Sequence, residues 1–109
     1  MPVTPSFRAF VEDQLERIAP SIRTRRMFGA VGIYSGELFF ALIADDVLYF
    51  KVDDETRGAY EERGLRPFRP FGPDGAELSY REVPAELLDD ADALRPWTED
   101  AVEVARRAR

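Results

Sequence analysis

The sequence predicts an α+β domain in which an N-terminal amphipathic helix and C-terminal helices flank an antiparallel sheet of about five strands. Three observations carry that expectation. Apolar residues recur at helical spacing directly after a Thr-Pro pair, at Phe7, Phe10, Val11, Leu15 and Ile18. Between Arg25 and Asp54, short apolar segments alternate with turn residues, the pattern of a β-meander. Beyond Asp89 helical spacing returns, at Leu94, Trp97, Ala101, Val102 and Ala105.

Each element has a local reason. Thr4 supplies a hydroxyl cap and Pro5 suits the first helical position. Pro20 cannot continue a helix, so the first one ends near Ala19. The second half of the 21–28 stretch reads as a first strand. Val31–Tyr34, Leu38–Ile43 and Val47–Val52 read as the next three, with Ser35-Gly36-Glu37 and Asp45-Asp46 as turns and Gly29-Ala30-Val31-Gly32 as a bend or bulge. Asp53 or Asp54 caps a short helix over 55–63, which Gly64 stops. Pro67, Pro70 and Pro73 permit only a short edge strand or a loop, and Pro73-Asp74-Gly75 is a turn. Glu77 to Val83 alternates and reads as a further strand. Pro84 opens a helical turn around Leu87 and Leu88. Asp89, Asp90 or Asp92 caps the last helical part, which Pro96 is expected to divide.

The strand around Leu38, Phe40 and Leu42 is apolar on both faces, whereas Val47–Val52 mixes polar and apolar positions. Continuous apolarity implies burial on both sides. With few helices to cover a second face, we expect another subunit there and assign Leu38, Phe40 and Leu42 to the contact strand of a homodimer. The aromatic residues Phe7, Phe10, Phe28, Phe39, Phe40, Tyr49, Phe50 and Trp97 are expected in the core.

The totals narrow the function classes. At 109 residues the chain fits one domain, 1–109, large enough to bury a core without staples. It has no cysteine, and Met1-Pro2-Val3-Thr4-Pro5 shows no basic-then-apolar secretory pattern, so a soluble, cytoplasmic protein is expected. The longest apolar run, Leu38–Ala44, falls far short of the ~20 residues of a membrane helix. No membrane association is expected. A net charge of −6 repels nucleic acid at long range.

Histidine is also absent, which removes the commonest nucleophile–base pairs and zinc sites. Asp45, Asp46, Asp53, Asp54 and Glu55 form the one dense carboxylate cluster, at positions where turns and helix caps favour Asp. The segment Gly29–Gly32 lacks the Lys-Ser/Thr ending and following helix of a phosphate loop. No catalytic residue, metal site or cofactor is therefore assigned. Arg23, Arg25 and Arg26 form one basic cluster. Arg63, Arg66 and Arg69 form another, interleaved with Phe68 and Phe71. Arginines beside aromatics suit contact with single-stranded nucleic acid. Arg106, Arg107 and Arg109 fit the negative end of a helix dipole. We take Arg25, Arg26, Arg66, Phe68 and Arg69 as a candidate interaction surface.

The wording of the chain adds a resemblance. Arg26-Met27-Phe28-Gly29, Gly32-Ile33-Tyr34, Phe40-Ala41-Leu42-Ile43, Asp46–Asp53, Ser79-Tyr80, Val83-Pro84 and Leu94-Arg95-Pro96-Trp97 closely resemble the N-terminal domain of the TfoX/Sxy family, across most of residues 5 to 107. The resemblance implies an α+β domain with an antiparallel sheet and a link to bacterial transcription and competence regulation. It supplies no catalytic residues. Founding members carry a further C-terminal domain for which these residues leave no room, so a stand-alone copy is expected. The matching Arg26–Gly29 segment is read as structural, with an exposed edge available for contact. The expected function is a non-enzymatic regulatory module that binds a protein partner. The alternative is a nucleic-acid-associated regulator using Arg23, Arg25, Arg26 and the Arg66–Phe71 segment. A small-molecule sensor would need an apolar pocket.

Overall fold

A computed structural model describes residues 2–109; Met1, where the reading of the N-terminus begins, lies outside the described residues. Three hairpin turns organise the chain. Strands β1 (Ile22–Met27), β2 (Ala30–Ser35), β3 (Leu38–Ala44) and β4 (Val47–Lys51) are joined by the two-residue loops Phe28-Gly29, Gly36-Glu37 and Asp45-Asp46. Both residues of the first and last loops have positive φ, as a type I′ turn requires. Gly36, at φ 60°, takes the first position of the middle loop. These mirror-image turns match the right-handed twist of the strands they join.

Helix α1 (Pro5–Glu16) precedes the meander, and α2 (Arg57–Glu62) follows it. After α2 come β5 (Pro67–Phe68), β6 (Leu78–Glu82), a 3-10 turn (Ala85–Leu87) and α3 (Ala91–Arg107). All strand pairs are antiparallel, and the sheet order is β1-β2-β3-β4-β6-β5. The α+β fold with its central meander is as expected, and the proline-rich stretch contributes a two-residue edge strand as a sixth member. No helix of the described residues is long and apolar enough to cross a membrane.

The helices lie on one face of the sheet. Helix α3 covers β3 and β4, while α1 covers β1 and touches α3. Val11 and Leu15 of α1, and Leu94, Ala101 and Ala105 of α3, pack on Val31, Ile33, Phe40, Ile43 and Phe50. Thr24 of β1 also faces α1, donating to Glu12 at 3.0 Å and accepting from Arg8 at 2.7 Å. Phe10 is 37% exposed, against the expectation of burial. It sits on the flank of the stripe formed by Phe7, Val11, Leu15 and Ile18, one helical step out of line.

The expectation for β3 needs correction. Its two neighbours are β2 and β4, so neither edge is open to another chain. Phe40 is 0% exposed and lies beneath the helices, whereas Leu42 points to the opposite face. Leu38 is half-buried against the helical core. The three residues form no common surface. A β-bulge adds to this: Ile33 pairs with Ala41 and Tyr34 with Phe39, leaving Phe40 unopposed on β2. Phe40 and Ala41 consequently share the helix side. The double apolarity of β3 thus arises from helices on one face and the chain's own aromatics on the other.

Pro96 does not divide α3. Asp90 caps this helix by accepting from the Ala93 N–H at 3.1 Å, and the helix runs through to Arg107. Proline at position 96 removes one hydrogen bond, to the carbonyl of exposed Asp92. Trp97, edge-on to Tyr60 at 4.9 Å, and the wholly buried Leu94 and Thr98 hold both flanks in place. Thr98 satisfies its buried hydroxyl by donating to the Leu94 carbonyl at 3.0 Å.

The carboxylate cluster falls into two separate turns. Asp46 accepts from the Thr4 N–H at 2.8 Å and ties the β3–β4 turn to the start of α1. Asp53 accepts from the N–H groups of Glu55 and Thr56, both at 3.0 Å, and receives Arg107 of α3 at 2.8 Å on its other oxygen. That Arg107 bond, helped by the two N–H donors, holds the Asp53 carboxyl below its ordinary range. A carboxyl lowered by folding stabilises above its unfolded value, about 3.9, and loses that contribution as pH falls through the folded value. Asp53→Asn keeps the acceptor oxygen but removes the charge. We expect its destabilisation at neutral pH to shrink progressively in urea titrations as pH falls below about 3.9; a difference that stays unchanged as pH falls would refute the Arg107 linkage.

Candidate interaction site

The sheet face opposite the helices carries the candidate site. In strand order it presents Arg23, Arg25 and Met27 from β1; Ala30, Gly32 and Tyr34 from β2; and Phe39, Leu42 and Ala44 from β3. Tyr49 and Lys51 of β4, Leu78, Tyr80 and Glu82 of β6, and Phe68 of β5 complete it. The rings interlock: Tyr34 stacks on Phe39 at 5.0 Å, Phe39 meets Tyr80 at 5.8 Å, and Tyr49 meets Phe68 at 5.0 Å. Gly32 makes this packing possible, since a Cβ there would lie 2.7 Å from the Met27 methyl and 3.2 Å from the Phe39 ring.

Two loops rise from this face and enclose an apolar groove of about 520 Å³. One wall is the β1–β2 turn with Met27 and Phe28. The other is the β5–β6 loop with Pro70 and Phe71. Phe39, Leu42, Phe68 and Tyr80 line the space between. Burial, and secondarily Tyr34, push the Tyr80 hydroxyl up to about 12, so it remains a hydrogen-bond donor at any physiological pH.

The groove's two walls end in exposed phenylalanines, Phe28 at 100% and Phe71 at 79%. Phe28, expected in the core, is instead the most exposed large apolar residue among the described residues. It also has φ 52°, a left-handed conformation that favours glycine or asparagine and is costly for a bulky side chain. Both the solvent and the backbone oppose phenylalanine at this position. Residues that folding alone does not explain concentrate at functional sites.

The arginines divide according to role. Arg69 fastens the β5–β6 loop, donating to the Gly75 carbonyl and to Glu77, both at 2.8 Å. Arg66 pairs with Glu82 at 3.1 Å, and Arg63 with Glu86 at 2.5 Å. Phe68 is buried in the floor rather than exposed for contact. Arg66, Phe68 and Arg69 are the positions expected to form part of an interaction surface, and each is engaged by a local partner. Arg25 and Arg26 are exposed but are consecutive on a strand, so they point to opposite faces. All of Arg23, Arg25 and Arg26 stand on edge strand β1, where charge discourages edge-to-edge pairing.

Sequence reasoning passed over the groove itself and Lys51, and placed Phe71 only within the Arg66–Phe71 segment of the nucleic-acid alternative. Phe28 alone carried a readable signal, because the Phe-Gly pair occupies a turn between two strands. Comparison with curated proteins gives no match. The model of the TfoX N-terminal domain, a domain known in the context of competence and regulation, matches residues 13–105, and the chain belongs to that family.

Proposed function

We propose that this domain is a non-enzymatic regulatory module that acts by binding a protein partner, in a bacterial cytoplasmic setting. The observation that carries the reading is the pair of exposed phenylalanines flanking an apolar groove on the face the helices leave uncovered. Aromatic anchors around a desolvated pocket dominate the energetics of protein interfaces. Family membership supports a regulatory role. The carboxylates singled out in the sequence serve turns and the Asp53–Arg107 pair; neither Asp53 nor Asp54 caps α2 as expected, because that helix starts after Thr56 and has no side-chain cap.

The nucleic-acid reading has less support. Arg66 and Arg69 are matched by Glu82 and Glu77, and Arg25 and Arg26 face opposite ways. An affinity pull-down from host extract, with and without nuclease, separates the two readings. We expect a captured protein that survives nuclease and is lost when the bait is Phe28→Asn. Partners that vanish with nuclease would transfer the role to nucleic acid. Capture undiminished by Phe28→Asn would show that the groove is not the contact.

A further inference from the structure

The charge around the groove indicates what kind of protein segment it fits. Most arginines of this acidic chain are neutralised by a neighbouring carboxylate: Arg8, Arg57, Arg63, Arg66, Arg69, Arg81, Arg95, Arg106, Arg107 and Arg109 all form ion pairs. Arg17, Arg23, Arg25, Arg26 and Lys51 form none among the described residues; of these, Arg23, Arg25 and Lys51 stand on the open face. The Arg23 guanidinium lies 5.2 Å from the centroid of Tyr34, the ring stacked on Phe39. Lys51, the only lysine of the chain, lies 5.0 Å from the centroid of Tyr80. Arg25 pairs across from Gly32, beside Met27 and Phe39. The carboxylate that β6 places on this face, Glu82, is held by Arg66, and Glu77 in the preceding loop by Arg69. A cationic border therefore adjoins an apolar groove on a protein whose net charge is −6.

Resting on the protein-binding reading above, we propose that the open face docks an acidic, apolar segment of a partner protein. Its large apolar side chains enter the groove between Phe28 and Phe71, and its carboxylates meet Arg23, Arg25 and Lys51. Cations already seated over aromatic rings present their charge without the cost of ordering a free side chain. A second copy of this chain fits less well, because it would bring the same three cations to the same face. A single-stranded nucleic acid could stack on the phenylalanines but would feel the negative field of the whole chain.

The test is selection of binders to the full chain from a random linear peptide library, followed by fluorescence polarisation of the selected peptides. We expect sequences that combine Phe, Trp or Leu with Asp or Glu, and affinity that falls as salt rises. Phe28→Asn should weaken them by about tenfold or more, the scale of an interface anchor. Arg25→Glu combined with Lys51→Glu should weaken them several-fold, and peptides with lysine replacing the carboxylates should regain binding to that double variant. Absence of any binder, binders lacking acidic residues, or binders indifferent to the double variant would overturn the proposal. So would tight binding of an oligothymidylate, or light scattering that shows a dimer dissolved by Phe28→Asn. Loss of the nuclease-resistant partner sinks the protein-binding reading itself. Retention of that partner with non-acidic selected peptides sinks only the chemistry assigned to it.

Discussion

Phe40→Ala is expected to lower the unfolding free energy by about 3–5 kcal/mol, the cost of deleting a ring from a packed core. Phe40 is wholly buried, lies 5.9 Å from the Phe50 ring, and sits at the bulge that turns it and Ala41 toward the helices. No neighbour can easily collapse into the space, because β3 is held from both sides and α3 rests on top. A domain of this size has about 5–15 kcal/mol of total stability, so the loss removes a large fraction of it. The melting temperature should fall by roughly 15–30 °C. Calorimetry of the variant checks this, and a fall of only a few degrees would show that Phe40 is not a central core residue. The same experiment bears on the assignment of β3: a residue buried mainly by another subunit would give a melting temperature that depends strongly on concentration.

Phe28→Asn should have the opposite signature, with no loss of stability and a large loss of binding. The side chain is fully exposed, so little buried area is given up. Asparagine tolerates the left-handed conformation of a type I′ turn far better than phenylalanine. Stability should therefore hold steady or rise by up to about 1 kcal/mol. Urea denaturation measures one quantity, and capture of the nuclease-resistant partner measures the other. A destabilisation beyond about 1 kcal/mol would mean that Phe28 is part of the folding core after all, and its use as a contact residue would fall. The comparison with Phe40→Ala separates the two faces of the sheet: one is packed for stability, the other holds an apolar residue where stability does not require it.

Local physics explains why most of the fold was legible. The Thr4–Pro5 start and the Gly36 and Asp45-Asp46 turns are decided by residues within a few positions of each other. The same holds for the proline-limited edge strand and the Asp90 cap. Pro96 misled because a rule about helix interiors ignores what packs against the helix. Trp97 on Tyr60, with buried Leu94 and Thr98, outweighs one missing hydrogen bond. Leu38, Phe40 and Leu42 misled for a related reason. An apolar strand reports that both faces are covered, but not by which partners.

The site was less legible than the fold. Arg66 and Arg69 stand beside Phe68 and Phe71 in the sequence and look like a contact patch. Their carboxylate partners, Glu82 and Glu77, become neighbours only when β6 folds back on β5. Phe28 and Phe71 are separated by most of the sheet in the chain, and only two loops rising from one face place them on opposite walls of a groove.

By itself, the sequence determined the class of the fold, its turns and caps, the family and the overall charge, because each depends on short-range chemistry or on composition. Tertiary structure alone decided which face of each strand meets the helices, which arginines are neutralised, and where apolar surface is left uncovered. Those outcomes depend on pairings between residues distant in the chain, set by strand order and by the bulge at Phe40.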